Sequence, residues 1–451
     1  MINKNFKKLR CEMNKKEDLK IGMYLQMDQW KNEKEFNKAM EYVKKSDIDL
    51  LVFPEICYVP FGKILVNANI AYRDSQNKVI EECLKFSKEI NRAVVISTYD
   101  RHDVIYSVYA NANVGFNETD SHIYIKHTMT PYSAFDFTNY REIIDDIYKP
   151  IRLKGNKIGL TICYDCNNPL FSRMYGVQDI DIILNSTGGN VVYDKWYRYN
   201  QVRAIENQCY TLVTMGGDGR KDKPNSYVYG FNSNGKRLVP TLLNSDGKYI
   251  NEPGTIYVYD LSKDDNGSEI DKRLGQLETE NKYQHIQIPA GKVDEILGNA
   301  DEIEENLYVY KYENVNIVFI VVEDEDIFKP ETVLSLMYSD KLKNYSNKRY
   351  VVVNKYNKLD KDLYETKLSV VLKVRAMESF CAVILESETY NKCYQTGSNK
   401  TAQVIAANDG CYGLDLKRMT GPESIWKNKG NSIRASWREN YEVLLEKCID
   451  M

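Results

Sequence analysis

The stretch KIGLTICYDCNNPLFSR, Lys157 to Arg173, decides the fold. Ile158, Leu160 and Ile162 make a short apolar run bounded by polar residues, which reads as a buried strand. Cys163 stands where that run ends, and the turn after it is expected to direct Tyr164 and Asp165 toward whatever approaches the sulfur. A thiol fixed at a strand end is a rigidly presented nucleophile. Upstream the pattern alternates. Lys20 to Met27 reads as a strand, Glu35 to Lys44 as a helix and Asp49 to Phe53 as a second strand. A helix capped by Asp74 or Ser75 carries Val79, Ile80, Cys83 and Leu84 at helical spacing, and Ala93 to Thr98 is a third strand. Such alternation indicates a layered α/β fold. Strands between Ile105 and Ile125 end at Lys126, and a loop of roughly thirty residues then precedes the Cys163 strand. Loops of that length inside a compact domain are usually functional.

With 451 residues the chain exceeds the usual single-domain size, so two domains and a large core are expected. Lys plus Arg number 61 against 64 Asp plus Glu, a net charge of -3, which gives no electrostatic reason to expect nucleic acid or an anionic membrane as partner. The basic start, MINKNFKKLRCEMNKK, is followed by no apolar stretch of signal-peptide length, and no later segment is long enough to span a bilayer, so a cytoplasmic location is expected. The ten cysteines then read as free thiols, most of them small core residues. Cys163 and Cys166 form a C-x-x-C, which suits a redox pair or half a zinc site, but neither a second C-x-x-C nor a His pair accompanies it. No metal or cofactor is therefore expected. The 35 tyrosines and 13 phenylalanines are scattered through the chain and read as core and surface aromatics, not as a stacking platform.

Glu55, Lys126 and Cys163 share one position type, each lying just past an apolar strand. Strand ends of one layered sheet can converge on a single crevice. An acid, an amine and a thiol brought together there suit acyl transfer: Cys attacks a carbonyl or nitrile carbon, Glu moves protons, and Lys stabilises the oxyanion. The Lys126 ammonium is also expected to favour the Cys163 thiolate.

The local wording extends this reading. LVFPE at Leu51 to Glu55, YIKHTMTP at Tyr124 to Pro131 and ICYD at Ile162 to Asp165, with Pro169 and Arg173, together resemble the nitrilase, or carbon-nitrogen hydrolase, superfamily. ILNSTGGN (Ile183 to Asn190), VRAIEN (Val202 to Asn207) and NSYVYGFNSNGK (Asn225 to Lys236) continue the resemblance, which covers Lys20 to Leu261. It implies a four-layer αββα sandwich with Glu55 as general base, Lys126 as oxyanion stabiliser and Cys163 as nucleophile. The amide of Tyr164 would help to hold the oxyanion. The family's second glutamate falls here on Ala134; in the related wording YSAFDF, Tyr132 to Phe137, the last position is Phe137 where a glutamate is usual. Asp136 and Tyr132 are thus the candidates for substrate positioning, with Glu142 a further acid in reach. The implied activity is hydrolysis of a small non-peptide amide or terminal carboxamide through a Cys163 thioester. An acyltransferase using the same triad with an amine acceptor stays open, as does a non-catalytic scaffold, which the intact triad argues against.

The second half echoes the first. VRAMESF with Cys381 (Val374 to Cys381) parallels VRAIENQ with Cys209, and NIVFIVVED (Asn316 to Asp324) parallels KIGLTICYD, which sets Val322 opposite Cys163. HIQIP (His285 to Pro289) lies on HIYIK, placing Pro289 opposite Lys126, and TAQVIAANDG (Thr401 to Gly410) lies on SYVYGFNSNG. The expected organisation is a catalytic domain over 20–261, a polar linker over 262–281 and a smaller, degenerate α/β half-repeat of the same fold over 282–451. That half keeps counterparts of the helices through which family subunits pair, so it is expected to serve as an intramolecular pseudo-dimer partner; further homo-oligomers stay open. If Asp136 replaces the missing glutamate, Asp136→Ala costs about a hundredfold in turnover, as loss of a positioning group does, while Asp145→Ala and Asp146→Ala leave it unchanged. Equal effects of the three substitutions in one kinetic series would refute the assignment.

Overall fold

The structure is a computed structural model, and it describes residues 16–25, 33–55, 72–99, 105–128, 140–188, 191–216, 228–242, 254–262, 274, 278–280, 286–397, 404–407, 411–422 and 433–450. The chain divides into two compact units, one of residues 1–166, 174–191 and 207–270, the other of residues 167–173, 192–206 and 271–451. The first unit begins as the alternation predicts, with strands β1 (Lys20–Tyr24), β2 (Leu50–Val52), β3 (Ala93–Tyr99), β4 (Ile105–Ala110) and β5 (Ser121–Ile125). A second group follows: β6 (Ile151–Leu153), β7 (Asn156–Ile162), β8 (Ile182–Thr187), β9 (Tyr210–Met215) and β10 (Val228–Phe231). The chain then returns with β11 (Thr241–Leu242) and β12 (Ile256–Asp260) to close a seven-stranded sheet of order β11-β12-β1-β2-β3-β4-β5, beside a five-stranded sheet of order β10-β9-β8-β7-β6.

These sheets pack through β1 on β9 and β4 on β7. Two hydroxyls on the second sheet reach carbonyls at strand ends of the first: Ser186 Oγ donates to Phe53 O at 2.8 Å and Thr214 Oγ1 to Tyr24 O at 2.6 Å. On the first sheet's other face, Phe36 from the helix Glu33–Lys45 and Phe86 from the helix Tyr72–Ile90 meet at 5.8 Å between ring centroids, and Phe53 lies 5.2 Å from Tyr24. The second helix starts at Tyr72, earlier than its predicted cap. A larger difference concerns the expected loop before the Cys163 strand. Residues 140–147 form a helix that buries Tyr140, Ile144 and Ile147, spaced one and two turns apart, and β6 follows it. Gly159 in β7 makes room for the Tyr175 ring, since a Cβ there would come within 2.7 Å of it.

The second unit is built on an eight-stranded sheet. Its strands are β13 (Glu278–Glu280), β15 (Asp301–Glu304), β16 (Leu307–Tyr312), β17 (Val315–Glu323), β18 (Lys348–Tyr356), β19 (Ala382–Ser387), β20 (Asn391–Thr396) and β21 (Val404–Ala407), in the order β13-β21-β20-β19-β18-β17-β16-β15. A separate pair, β14 (Ile286–Pro289) and β22 (Cys411–Leu414), contributes Ile288, Tyr412 and Leu414 to one apolar cluster with Ile317, Phe319, Val351, Val353 and Ile384. The run β16 to β20 repeats the pairing of β6 to β10: an antiparallel pair, two parallel pairs, then an antiparallel pair. Details recur as well. Cys163 (φ 48) and Asp324 (φ 44) are both left-handed and each opens a five-residue 3-10 turn, with Pro169 or Pro330 heading the next helix. Asn185 Nδ2 donates to Cys163 O at 3.4 Å and Asn354 Nδ2 to Asp324 O at 3.1 Å.

Four details differ from expectation. Asp324, not Val322, occupies the position matching Cys163, because β17 has nine residues where β7 has seven; a shift of two keeps every side chain on its face, so the apolar pattern hides it. The counterpart of β10 is β20 and not β21, and Pro289 closes a strand of the separate two-stranded sheet. Residues 278–280 of the expected linker form an edge strand parallel to β21, because main-chain bonding tolerates their polar side chains. Among the described residues no helix is long and apolar enough to cross a membrane, and the described cysteines are free thiols.

Segments 167–173 and 192–206, expected with the first domain, cluster in the second unit. Within that unit Arg173 Nε lies 3.0 and 3.1 Å from the two oxygens of Glu331. Helix Tyr193–Glu206 meets helix Ser369–Ser379, and their matching VRA-x-E residues form a buried quartet. Arg203 pairs with Glu378 and, through Nε at 2.9 Å, with Glu206; Arg375 pairs with Glu378 and, at 2.7 Å, with Glu206. All four side chains are no more than 1% exposed. Each residue therefore makes the contacts its counterpart makes, the reciprocity of a two-fold contact. Removing one arginine leaves two buried carboxylates sharing a single cation, a net buried charge, so Arg375→Met is expected to lower unfolding free energy by about 3–5 kcal/mol. A drop in the urea midpoint checks this; an unchanged midpoint would refute it.

Candidate active site

β2 ends at Val52, and the chain turns through Phe53 and Pro54 to bring Glu55 into the interior, where it is 4% exposed. Lys126 follows β5 directly and is 6% exposed. Its Nζ donates to Glu55 Oε1 at 2.7 Å, while the Gly188 N–H, just past β8, donates to Glu55 Oε2 at 2.9 Å. Cys163 follows β7 and is 9% exposed. Its sulfur lies near enough to the Glu55 carboxylate and the Lys126 ammonium for both charges to act on its ionisation. The three strand-end residues picked out by the sequence thus converge, from both sheets of the first unit. A left-handed backbone is uncommon for a residue with a Cβ, and such conformations persist where the surrounding structure holds them. At Cys163 it turns the chain sharply from the strand into the 3-10 turn.

Burial, and then the Glu55 carboxylate, push the Cys163 thiol up to about 12, with Lys126 and the Gly188 N–H pulling the other way. Lys126 does favour the thiolate as expected, but it does not prevail: the resting group is a thiol. Burial alone would lower Lys126, yet its neighbours, the Glu55 carboxylate first, outweigh it and hold the ammonium above its ordinary value. The resting arrangement is therefore a thiol beside a paired ammonium and carboxylate. A base beside a thiol that is not ionised in advance can take its proton during attack on a carbonyl carbon.

Tyr164 is half-buried, and burial pushes its phenol up to about 12. Asp165 does not face the approach to the sulfur. It is fully buried and turned inward to Tyr124 and Thr128. Tyr132 and Asp136 lie outside the described residues; Glu142, in the first turn of the helix Tyr140–Ile147, is exposed. Two contributors were not picked out from sequence: the Gly188 amide, although it lies within the ILNSTGGN wording, and Asn185, which holds the carbonyl of Cys163. A main-chain donor leaves no residue-type signature.

Residues 21–233 match the carbon-nitrogen hydrolase family. Among solved structures, an amidase from Nesterenkonia sp. is similar at 14% identity over 54% of this chain and 89% of its own, with a TM-score of 0.38. A carbon-nitrogen hydrolase from Helicobacter pylori G27 is similar at 16% identity over 54% of this chain and 90% of its own, with a TM-score of 0.37. No curated protein matches.

The opposing influences of Glu55 and Lys126 on the sulfur give a signed expectation. Glu55→Gln removes the charge that raises the thiol, so thiolate forms at lower pH, while turnover falls by about a hundred- to ten-thousandfold for want of the base. Lys126→Met removes the charge that lowers it, so thiolate forms at higher pH. The pH dependence of Cys163 alkylation reads both shifts, and displacement of the two variants in the same direction would refute the arrangement.

Proposed function

Residues 21–233 form a carbon-nitrogen hydrolase domain, and from that premise we propose that the protein cleaves a small non-peptide amide or terminal carboxamide through a Cys163 thioester. The observation that carries this reading is the buried Lys126–Glu55 ion pair at 2.7 Å, with the Cys163 thiol near enough for both charges to act on it. Glu55 takes the thiol proton as sulfur attacks the carbonyl carbon, and the resulting oxyanion faces the Lys126 ammonium and the Tyr164 amide. Collapse of the adduct breaks the C–N bond, and the amine departs with the proton held by Glu55. Water then attacks the thioester with Glu55 again as base, releasing the acid and restoring the thiol. Each preorganised oxyanion donor is worth about a hundred- to thousandfold in such chemistry.

The second half, in this reading, is a degenerate copy of the β6–β10 region and its crossovers that serves as a built-in partner. The repeated strand order, the paired left-handed residues Cys163 and Asp324, and the reciprocal Arg203, Glu206, Arg375 and Glu378 quartet support it. At the position of the nucleophile the copy carries an aspartate, so it is silent.

Incubating the protein with a panel of small amides, with and without amine acceptors, tests the chemistry. The expected result is acid release, an acyl adduct on Cys163 by mass spectrometry, and no turnover by Cys163→Ala. Adducts on another residue, or full activity of Cys163→Ala, would overturn the assignment, and acyl transfer to the amines would replace hydrolysis by aminolysis. Residues 1–262 expressed alone are expected to be self-associated, insoluble or inactive; a well-folded, fully active monomer would sink the built-in partner.

A further inference from the structure

Asp165 has no part in the chemistry just described, yet it is 0% exposed and, among the described residues, holds more hydrogen bonds than any triad member. Its Oδ1 accepts from Thr128 N–H and Thr128 Oγ1, both at 2.8 Å. Its Oδ2 accepts from Tyr124 O–H at 3.0 Å and from Ile162 N–H at 3.2 Å. Tyr124 and Thr128 flank Lys126, and Ile162 immediately precedes Cys163. One carboxylate thus grips the chain on both sides of the lysine and at the root of the nucleophile.

We propose that Asp165 is the positioning residue that sets Lys126 against Cys163, clamping the end of β5 to the turn after β7. This rests on the hydrolase reading of the site. All four groups it meets donate to it, and two of them, the Thr128 and Ile162 N–H groups on opposite oxygens, can do nothing else, so the ionised carboxylate, which accepts at both oxygens, is the form that suits the site. A proton on either oxygen makes it a poorer acceptor for the main-chain N–H it holds and loosens that bond of the clamp. The titratable groups facing it are Lys126, Tyr124, Tyr148 and Tyr175. Of these only Lys126 is charged at neutral pH, and it favours the carboxylate. Burial nevertheless raises Asp165 to about 6, with Lys126, Thr128 and Tyr124 holding it from going higher. The clamp therefore loosens as pH falls through that value, within a range where the fold can be studied intact.

Two variants test this. Asp165→Asn keeps one oxygen for Thr128 but sets an amide donor against Ile162 N–H; Thr128→Val keeps the carboxylate and removes a single bond. For an amide found in the panel, Asp165→Asn is expected to lower kcat on the order of a hundredfold, the effect of a small misplacement, with KM changed by less than about threefold. The acidic limb of the wild-type pH profile, near pH 6, should vanish in that variant. Thr128→Val removes a bond to the charged form, so its limb should move to higher pH with a several-fold loss of kcat, and it carries the test if near-ultraviolet circular dichroism shows Asp165→Asn unfolded. Wild-type kcat with an unmoved limb in the folded variants would overturn the proposal. If the wild-type protein turns over no amide, the hydrolase reading fails by itself. The clamp is then judged on the iodoacetamide alkylation rate of Cys163 alone: a roughly tenfold slowing in the variants, with the limb displaced, supports it, and unchanged rates and limb reject it.

Discussion

An ion pair between two side chains that are only 3% and 5% exposed is the constraint on which the first unit depends. Removing Lys126 and Glu55 from water costs several kcal/mol for each ion, which their attraction offsets only when geometry is good and the remaining lone pairs are filled. The 2.7 Å contact and the Gly188 amide meet both conditions. They can do so because the carboxylate comes from one sheet and the amide from the other, with Ser186 and Thr214 fastening second-sheet strands to first-sheet carbonyls. A slip of either sheet would strand a charge in the interior. The pairing of the sheets and the electrostatics of the site are therefore one requirement.

The same economy governs the nucleophile. Cys163 is held in an uncommon backbone conformation by its neighbours: Asn185 bonds its carbonyl, and Asp165 bonds the amide of Ile162 before it. Burial keeps the thiol protonated, and Glu55, the base of the proposed reading, is the group that most opposes its ionisation after burial. On the proposed reading, a site arranged in this way is inert until a substrate carbonyl gives the electron pair somewhere to go. That distinguishes it from thiols ionised in advance by a nearby cation.

In the second unit the balance of charge is kept by a different device. Four buried ionic groups are each paired twice, and the sum of their charges is zero. Such quartets add little to stability over an apolar core of equal volume, but they penalise any arrangement that leaves one member alone. Their reciprocity makes helix Tyr193–Glu206 and helix Ser369–Ser379 specific for each other. At Asp324 the unit has the same left-handed turn without a sulfur.

Strands at Lys20, Asp49, Ala93 and Lys157 were legible because their apolar runs are short and sharply bounded, and Glu55, Lys126 and Cys163 because each follows such a run. The helix at residues 140–147 was not, since only three of its residues are buried and acidic side chains separate them. Asp165 read as a group facing the substrate because a sequence places a residue on a turn without saying which way the turn rolls. The two-residue offset at Asp324 escaped because strand periodicity is blind to shifts of two. Residue type and order by themselves determined which groups could do the chemistry and which strands present them. Only the tertiary structure decided the protonation of the sulfur, the donor on Gly188 and the reciprocal quartet, since burial, main-chain direction and pairing across 169 or 175 residues are properties of packing.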